Sequence, residues 1–202
     1  MKIDLAGSVR PVEAAMRGSS EKTVVRRLNL YLDRIKCVRG CASCCSRMVY
    51  ISVAEALVMQ ETMSESGRWP EVRRRCLDQR QTSMDSNPVS WFKMNVSCPV
   101  LDPKSKECLA YEVRPTPCST HFVESDPRQC NPWETKGGGY LPIQMNDIHE
   151  EFMRTMESCV DGYGILAYRM PMPVALLFAE SVRTMTGLTL EEVTSLMRSE
   201  LR

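Results

Sequence analysis

Histidine is scarce in this chain, with two in 202 residues. A site built mainly from imidazoles is therefore excluded, and any metal must look to other side chains. Aromatic residues make up 6% of the sequence, too few for a base-stacking platform. Charge of one sign is also lacking: 26 basic and 25 acidic residues leave a net +1. That balance gives no electrostatic case for nucleic acid or an anionic membrane. The local run Arg73-Arg74-Arg75 reads as a solvated helix face. No apolar stretch approaches the length that spans a bilayer. The opening Met1-Lys2-Ile3-Asp4-Leu5-Ala6-Gly7 has no continuous apolar segment, so it does not read as a signal peptide. No G-x-S-x-G, phosphate loop or dinucleotide-binding glycine fingerprint is present. Internal repeats and low-complexity tracts are missing too. The expectation is a cytoplasmic chain with no nucleic-acid and no membrane partner.

What the chain does have is cysteine, ten in all. Four cluster at Cys37, Cys41, Cys44 and Cys45. Four more follow at Cys98, Cys108, Cys118 and Cys130. Only Cys76 and Cys159 fall outside, on apolar helical stripes where a thiol packs as a small core residue. A disulfide framework belongs to small secreted domains without a core. This chain is long enough to bury a core, and the adjacent Cys44-Cys45 pair is awkward to bridge. Thiolate ligation of zinc or of an iron–sulfur cluster is the better reading.

Hydrophobic periodicity places the clusters. Residues 1–19 read as an irregular arm. From Ser20, the residues Val24, Val25, Leu28, Leu32 and Ile35 recur at three and four, marking a helix to about Lys36. Gly40 breaks the pattern, and Met48-Val49-Tyr50-Ile51 is a short extended run. Ser52-Val53-Ala54-Glu55 is a capping box opening a helix that ends near Gly67. Pro70 starts the next, with Val72, Cys76, Leu77 and Met84 inward, and Asn87-Pro88 stops it. From Trp91 to Tyr140 six prolines and Gly137-Gly138-Gly139 make the chain irregular. A loop that long needs a pin, and metal ligation is one.

After residue 145 helix resumes, carrying Ile148, Phe152, Met156 and Cys159. Met170-Pro171-Met172-Pro173 reads as a linker. Pro173 opens a helix with Val174, Leu177, Phe178, Val182 and Met185 inward and Gly187 as stop. Thr189-Leu190-Glu191-Glu192 is a second capping box, before Val193, Met197 and Leu201. Most of the fourteen methionines sit on or beside such stripes as core filling. The expected fold is mainly α, with helices packed around an irregular cysteine-rich metal-binding centre. Its parts are an arm at 1–19, a cysteine-cluster domain at 20–140 and a helical extension at 141–202. The C-terminal helices offer a surface for a protein partner.

Cys41-Ala42-Ser43-Cys44 is a C-x₂-C knuckle, a spacing that bends two thiolates onto one ion. With Cys37 it makes C-x₃-C-x₂-C, the spacing of radical-SAM cluster ligands. The strand–helix alternation and length of such enzymes are lacking here. Only one knuckle exists and Cys98, Cys108 and Cys118 lie ten apart. That dispersal suits an iron–sulfur cluster somewhat better than zinc. Eight cysteines could also form two four-ligand centres. His121, three residues after Cys118, could ligate or hydrogen-bond a ligand sulfur. His149 reads as a surface or capping residue. Asp102, Glu107, Glu112 and Glu124 lie nearby without forming an acid/base pair.

Two ordered elements resemble a known family. The first is Cys37…Cys41-Ala42-Ser43-Cys44-Cys45 with Ile51-Ser52-Val53-Ala54-Glu55-Ala56. The second is Cys98-Pro99-Val100-Leu101-Asp102, then Cys108-Leu109-Ala110-Tyr111-Glu112-Val113-Arg114-Pro115-Thr116-Pro117-Cys118. Together they resemble the YkgJ-like cysteine-cluster family, the CxxCxxCC zinc- or iron-chelating domain, over roughly residues 36–130. Cys37 stands four residues before Cys41, where the family motif has three, and Ser119 replaces the arginine frequent after the last cysteine. The resemblance implies metal binding by Cys37, Cys41, Cys44, Cys45, Cys98, Cys108, Cys118 and Cys130, with Arg114 of its R-P element beside the bound group; His121 joins them by its spacing from Cys118 alone. Some relatives are flagellin lysine N-methylases, so it also admits a catalytic or redox iron centre. A zinc-stabilised interaction module is the third alternative.

Overall fold

The computed structural model describes residues 31–131, 141–143, 164–185 and 189–200, with a few isolated positions besides. The arm at 1–19, most of the helix expected at 20–36 and the helix expected after residue 145 with Cys159 lie outside the described residues.

Strand β1, Tyr50–Ser52, ends on a residue that starts a helix. The Ser52 hydroxyl accepts the Glu55 amide and the Glu55 carboxylate accepts the Ser52 amide, closing a capping box. Helix α1 runs Val53–Glu65 and is buried nearly all round. It stops at Gly67, whose φ is +69°. The Gly67 amide donates to the Ser64 carbonyl and the Arg68 amide to Met63, the paired bonds of a left-handed helix stop.

Helix α2, Trp69–Asp85, carries Pro70 in its first turn. Trp69, Val72, Cys76 and Ser83 form its buried row. Met84 packs half-buried against the core. Leu77, expected inward, is 47% exposed, because it lies about 100° round the helix from Cys76. The irregular stretch expected from Trp91 begins later. Asn87 caps a short helix α3, Pro88–Met94, by accepting the Val89 and Ser90 amides, and Trp91 is buried beneath it. An asparagine followed by proline is a start signal as well as a stop.

The chain then folds back on itself. Leu101 bridges Cys108, and the Leu109 amide donates to the Val100 carbonyl. Asp102 makes this turn by accepting the Lys104 and Ser105 amides at 2.8 and 3.0 Å. Those amides hold its carboxyl below the usual range. Short helical turns follow at Tyr111–Val113, at α4 (Thr116–Ser119) and at Pro127–Cys130.

Strand β2, Arg169–Pro171, pairs antiparallel with β1, placing Ile51 opposite Met170 and Ser52 opposite Arg169. The expected linker Met170-Pro171-Met172-Pro173 is thus the end of a strand and the first turn of a helix. Three proline-interrupted residues are too few to display strand alternation. Helix α5, Met172–Thr184, is buried from Met172 to Ala179 and again at Val182. Met185, expected inward, caps its end and is 42% exposed. Helix α6, Leu190–Glu200, opens on the second capping box: Thr189 and Glu192 exchange hydrogen bonds as Ser52 and Glu55 do.

Helices α1, α2 and α5 pack together, with α6 against α5. One apolar core runs through them and includes Val100, Ala110 and Val113 from the cysteine-bearing loops. Cys98, Cys108 and Cys118 rest half-buried upon it. Polar ties cross the layer. Glu180 of α5 accepts from the Trp69 indole at 2.7 Å and from Arg73, and Arg183 pairs with Glu61 at 2.8 Å. Tyr31, Ile35, Phe122 and Ile143 make a second, smaller cluster, while Leu32 is 59% exposed. Among the described residues no helix is long and apolar enough to cross a membrane. The architecture is mainly helical, with one two-stranded sheet among the described residues.

Candidate metal centre

The first cysteine group is shaped by turns. Gly40 adopts φ +84°, and the Cys41 amide then donates back to the Val38 carbonyl. Nothing lies within 4 Å of a Cβ placed at Gly40, so conformation, not space, favours glycine there. A 3₁₀ turn, Ser43–Ser46, carries Cys44 and Cys45, closed by Cys45 N–H to Ala42 and Arg47 N–H to Cys44.

Three connections bring the second group to the first. The Cys98 amide donates to the Cys45 carbonyl at 2.6 Å. The 98–109 hairpin carries Cys108 back beside Cys98. Glu55 sets Cys118: its Oε1 accepts the Thr116 amide and hydroxyl, while Oε2 holds Ser52. This carboxylate is buried and meets four donors, two on each oxygen. The Pro127–Cys130 turn packs against Ser43–Ser46 and buries Cys130.

All eight cysteines of the two groups consequently line one cavity of about 160 Å³. Arg114 and His121 also border it, as do Arg39, Arg47, Lys106 and Tyr111. A second hollow of about 370 Å³ touches Cys44, Cys118 and His121 from beside Arg47, Tyr50 and Arg169. Among the described residues no three His, Cys, Asp or Glu side chains already stand as the ligands of one ion. All nine described cysteines are free thiols.

The electrostatics of the cavity have a common origin. Burial pushes the thiols of Cys37, Cys108 and Cys118 up. Cys98 rises to about 12 through burial and the neighbouring Cys108. Cys130 rises to about 12 through burial and Cys44. Cys44 is the exception, lowered to about 7 by the Cys45 thiol that donates to it and by Arg47 and Arg114. Cys45 is pushed up correspondingly. Thiolates formed side by side in a half-buried space repel, and a cation among them reverses that repulsion.

The other expected residues find definite places. His121 Nε2 lies 3.8 Å from Cys130 Sγ, and burial lowers its pKa. The Arg114 guanidinium lies 4.1 Å from the Tyr111 ring centre, and Arg39 lies 5.2 Å from the same ring. Nε of Arg114 is buried without a hydrogen-bond partner. Cys76 is fully buried in the core, and burial raises its thiol. Glu107 pairs with Arg39 at 3.3 Å on the border of the same cavity, whereas Glu124 accepts from Arg34 away from it.

Several site residues escape a reading by motif. Arg39 lies inside the first cysteine group and Arg47 two residues after it, and neither had a signal beyond adjacency. Met172 had none at all: its sulfur sits 3.6 Å from Cys98 Sγ, 74 residues away in sequence. Glu55 was visible only as a cap.

A family model, CxxCxxCC, described as "Putative zinc- or iron-chelating domain", matches residues 36–159, more than half of the chain. No curated protein and no solved structure matches the chain.

Proposed function

We propose a thiolate-bound metal centre for this chain, which belongs to the CxxCxxCC zinc- or iron-chelating family. The observation that carries this reading is the single cavity lined by Cys37, Cys41, Cys44, Cys45, Cys98, Cys108, Cys118 and Cys130. The donor chemistry fits: soft sulfur ligands face one space, and basic side chains offset the charge that thiolates bring. Ligation would supply the energy to gather these sulfurs around an ion. Arg114 and His121 stand in the wall, Arg114 lowering the site's negative charge and His121 holding Cys130.

The group we assign is an iron–sulfur cluster. Its supports are the single C-x₂-C knuckle, the wide spacing of the later cysteines and the shortage of histidine. When bound, such a group supplies thiolate ligation that fixes loops and an iron that can change oxidation state. Either use suits a reducing, cytoplasmic setting where thiols stay free.

Anaerobic purification tests the assignment. Brown protein is expected, with absorption bleached by dithionite and acid-labile sulfide close to stoichiometric with iron. Colourless protein with tightly held zinc and no sulfide overturns iron–sulfur and leaves the thiolate centre. Protein with neither metal overturns the centre itself.

A further inference from the structure

Met172 belongs to no cysteine motif and lies outside the matched residues 36–159. Its side chain nevertheless lines the cavity with the eight thiols. The backbone leaves it little freedom. Met172 opens α5 between Pro171 and Pro173, whose rings fix their own φ. Its amide donates to the Val49 carbonyl at 2.9 Å, beside the β1–β2 pair. The residue is 4% exposed, so its sulfur is screened from solvent. The Cys98 thiol donates to that sulfur across 3.6 Å. A thioether is a weak acceptor of protons and a soft ligand of metals. A metal that displaces the Cys98 proton is offered the same lone pair. Two sulfurs held at about 2.3 Å by one tetrahedral ion stand about 3.8 Å apart, close to the separation seen here.

We propose that Met172 is a ligand of the metal centre, its Sδ sharing one ion with the Cys98 thiolate. This rests on the metal reading above and adds a neutral donor to a site otherwise built of thiolates. A thioether brings no charge, so it fills a coordination position without adding to the repulsion among the thiolates. In a two-iron cluster each iron takes two protein ligands, and neutral ligands there raise the reduction potential. On a four-coordinate zinc ion, three thiolates complete the set. Met172 is then the point at which helix α5, which follows every cysteine of the cavity in sequence, joins the centre.

The same packing distance suits two sulfurs that merely touch, so the experiment reads the bond itself. The full chain is made with selenomethionine, purified anaerobically with the iron or zinc it carries, and measured by X-ray absorption at that metal's edge. Selenium is expected in the first shell, about one per zinc ion or one per two irons. Met172→Leu keeps the side-chain volume and should lose that shell, or the metal with it, while the far-ultraviolet helix signal is retained. A first shell without selenium in the unaltered chain overturns the ligand role and leaves the metal reading intact. A chain that carries neither metal overturns both. Selenium retained in folded Met172→Leu overturns the assignment to Met172. Should that variant fail to fold, Met59→Leu decides, since Met59 is the other methionine lining the cavity among the described residues. Selenium retained there upholds Met172, and selenium lost there overturns it.

Discussion

The Glu55 carboxylate accepts both the amide and the hydroxyl of Thr116, at 2.7 and 2.8 Å. The two residues are 61 positions apart, and each lies in the first turn of a helix. One buried side chain therefore caps α1 through Ser52 and fixes the start of α4, two residues from Cys118.

Glu55→Gln should destabilise the protein by about 1–3 kcal/mol, because its amide NH₂ group would face donors where an acceptor is needed. Urea unfolding measures this against Glu112→Gln, which changes an exposed surface carboxylate. Equal midpoints for the two variants would remove Glu55 from the scaffold of the site.

Cysteine substitutions should sort by location. Cys76→Ala should cost about 1–3 kcal/mol as a core truncation and leave metal content unchanged. Cys44→Ala and Cys118→Ala should lower metal content and unfold or misfold the loaded protein, since ligation and folding are linked. Metal analysis beside thermal melts checks this. Similar melts and metal content in all three would argue against a folding role for the centre.

Alkaline pH should act in opposite directions on the two forms. Thiols such as Cys98 and Cys130, raised to about 12, are more easily ionised in the unfolded chain. Between about pH 9 and 12 the unfolded state binds fewer protons, so metal-free stability falls as pH rises. Cys44, lowered to about 7, contributes the reverse sign, lost as pH drops through that value, but it is outnumbered. Metal affinity instead rises with pH, because ligation expels the thiol protons. Denaturation midpoints from pH 8 to 10, with and without metal, should diverge. Proton release on metal addition in weak buffer gives the same sign.

Gly40→Ala should cost about 1–2 kcal/mol through its left-handed backbone alone. There is room for the methyl group, so repacking adds little. Metal binding should weaken along with stability, because the Gly40 turn aims Cys41. Differential scanning calorimetry and the metal-binding isotherm read the two effects separately. An unchanged melt would mean that the turn relaxes without effort.

Local rules carried much of the fold in the sequence. Ser52 with Glu55, Thr189 with Glu192, and Gly67 each act within a few residues, so their signals lie side by side in the chain. Leu77 was misplaced because an apolar residue beside a buried stripe looks like part of it. The β1–β2 pairing left no trace, since it joins three residues to three others over a hundred positions away. The α3 helix was hidden by the proline-rich stretch that follows it. At the site, the cysteines announced themselves by type and spacing. The Thr116 contact of Glu55, the approach of Met172 to Cys98 and the arginine rim depend on tertiary folding, for which no spacing rule exists.

Strand β2 and helix α5 hold the centre of the core, and they lie after every cysteine of the cavity in sequence. A ribosome makes the chain from its N-terminus, and folding follows synthesis. All eight thiols therefore leave the ribosome before the residues that complete the floor beneath Cys98, Cys108 and Cys118. During translation they are reachable by oxidants and stray ions that the finished cavity would restrict. Closure of the β1–β2 pair marks the end of that interval.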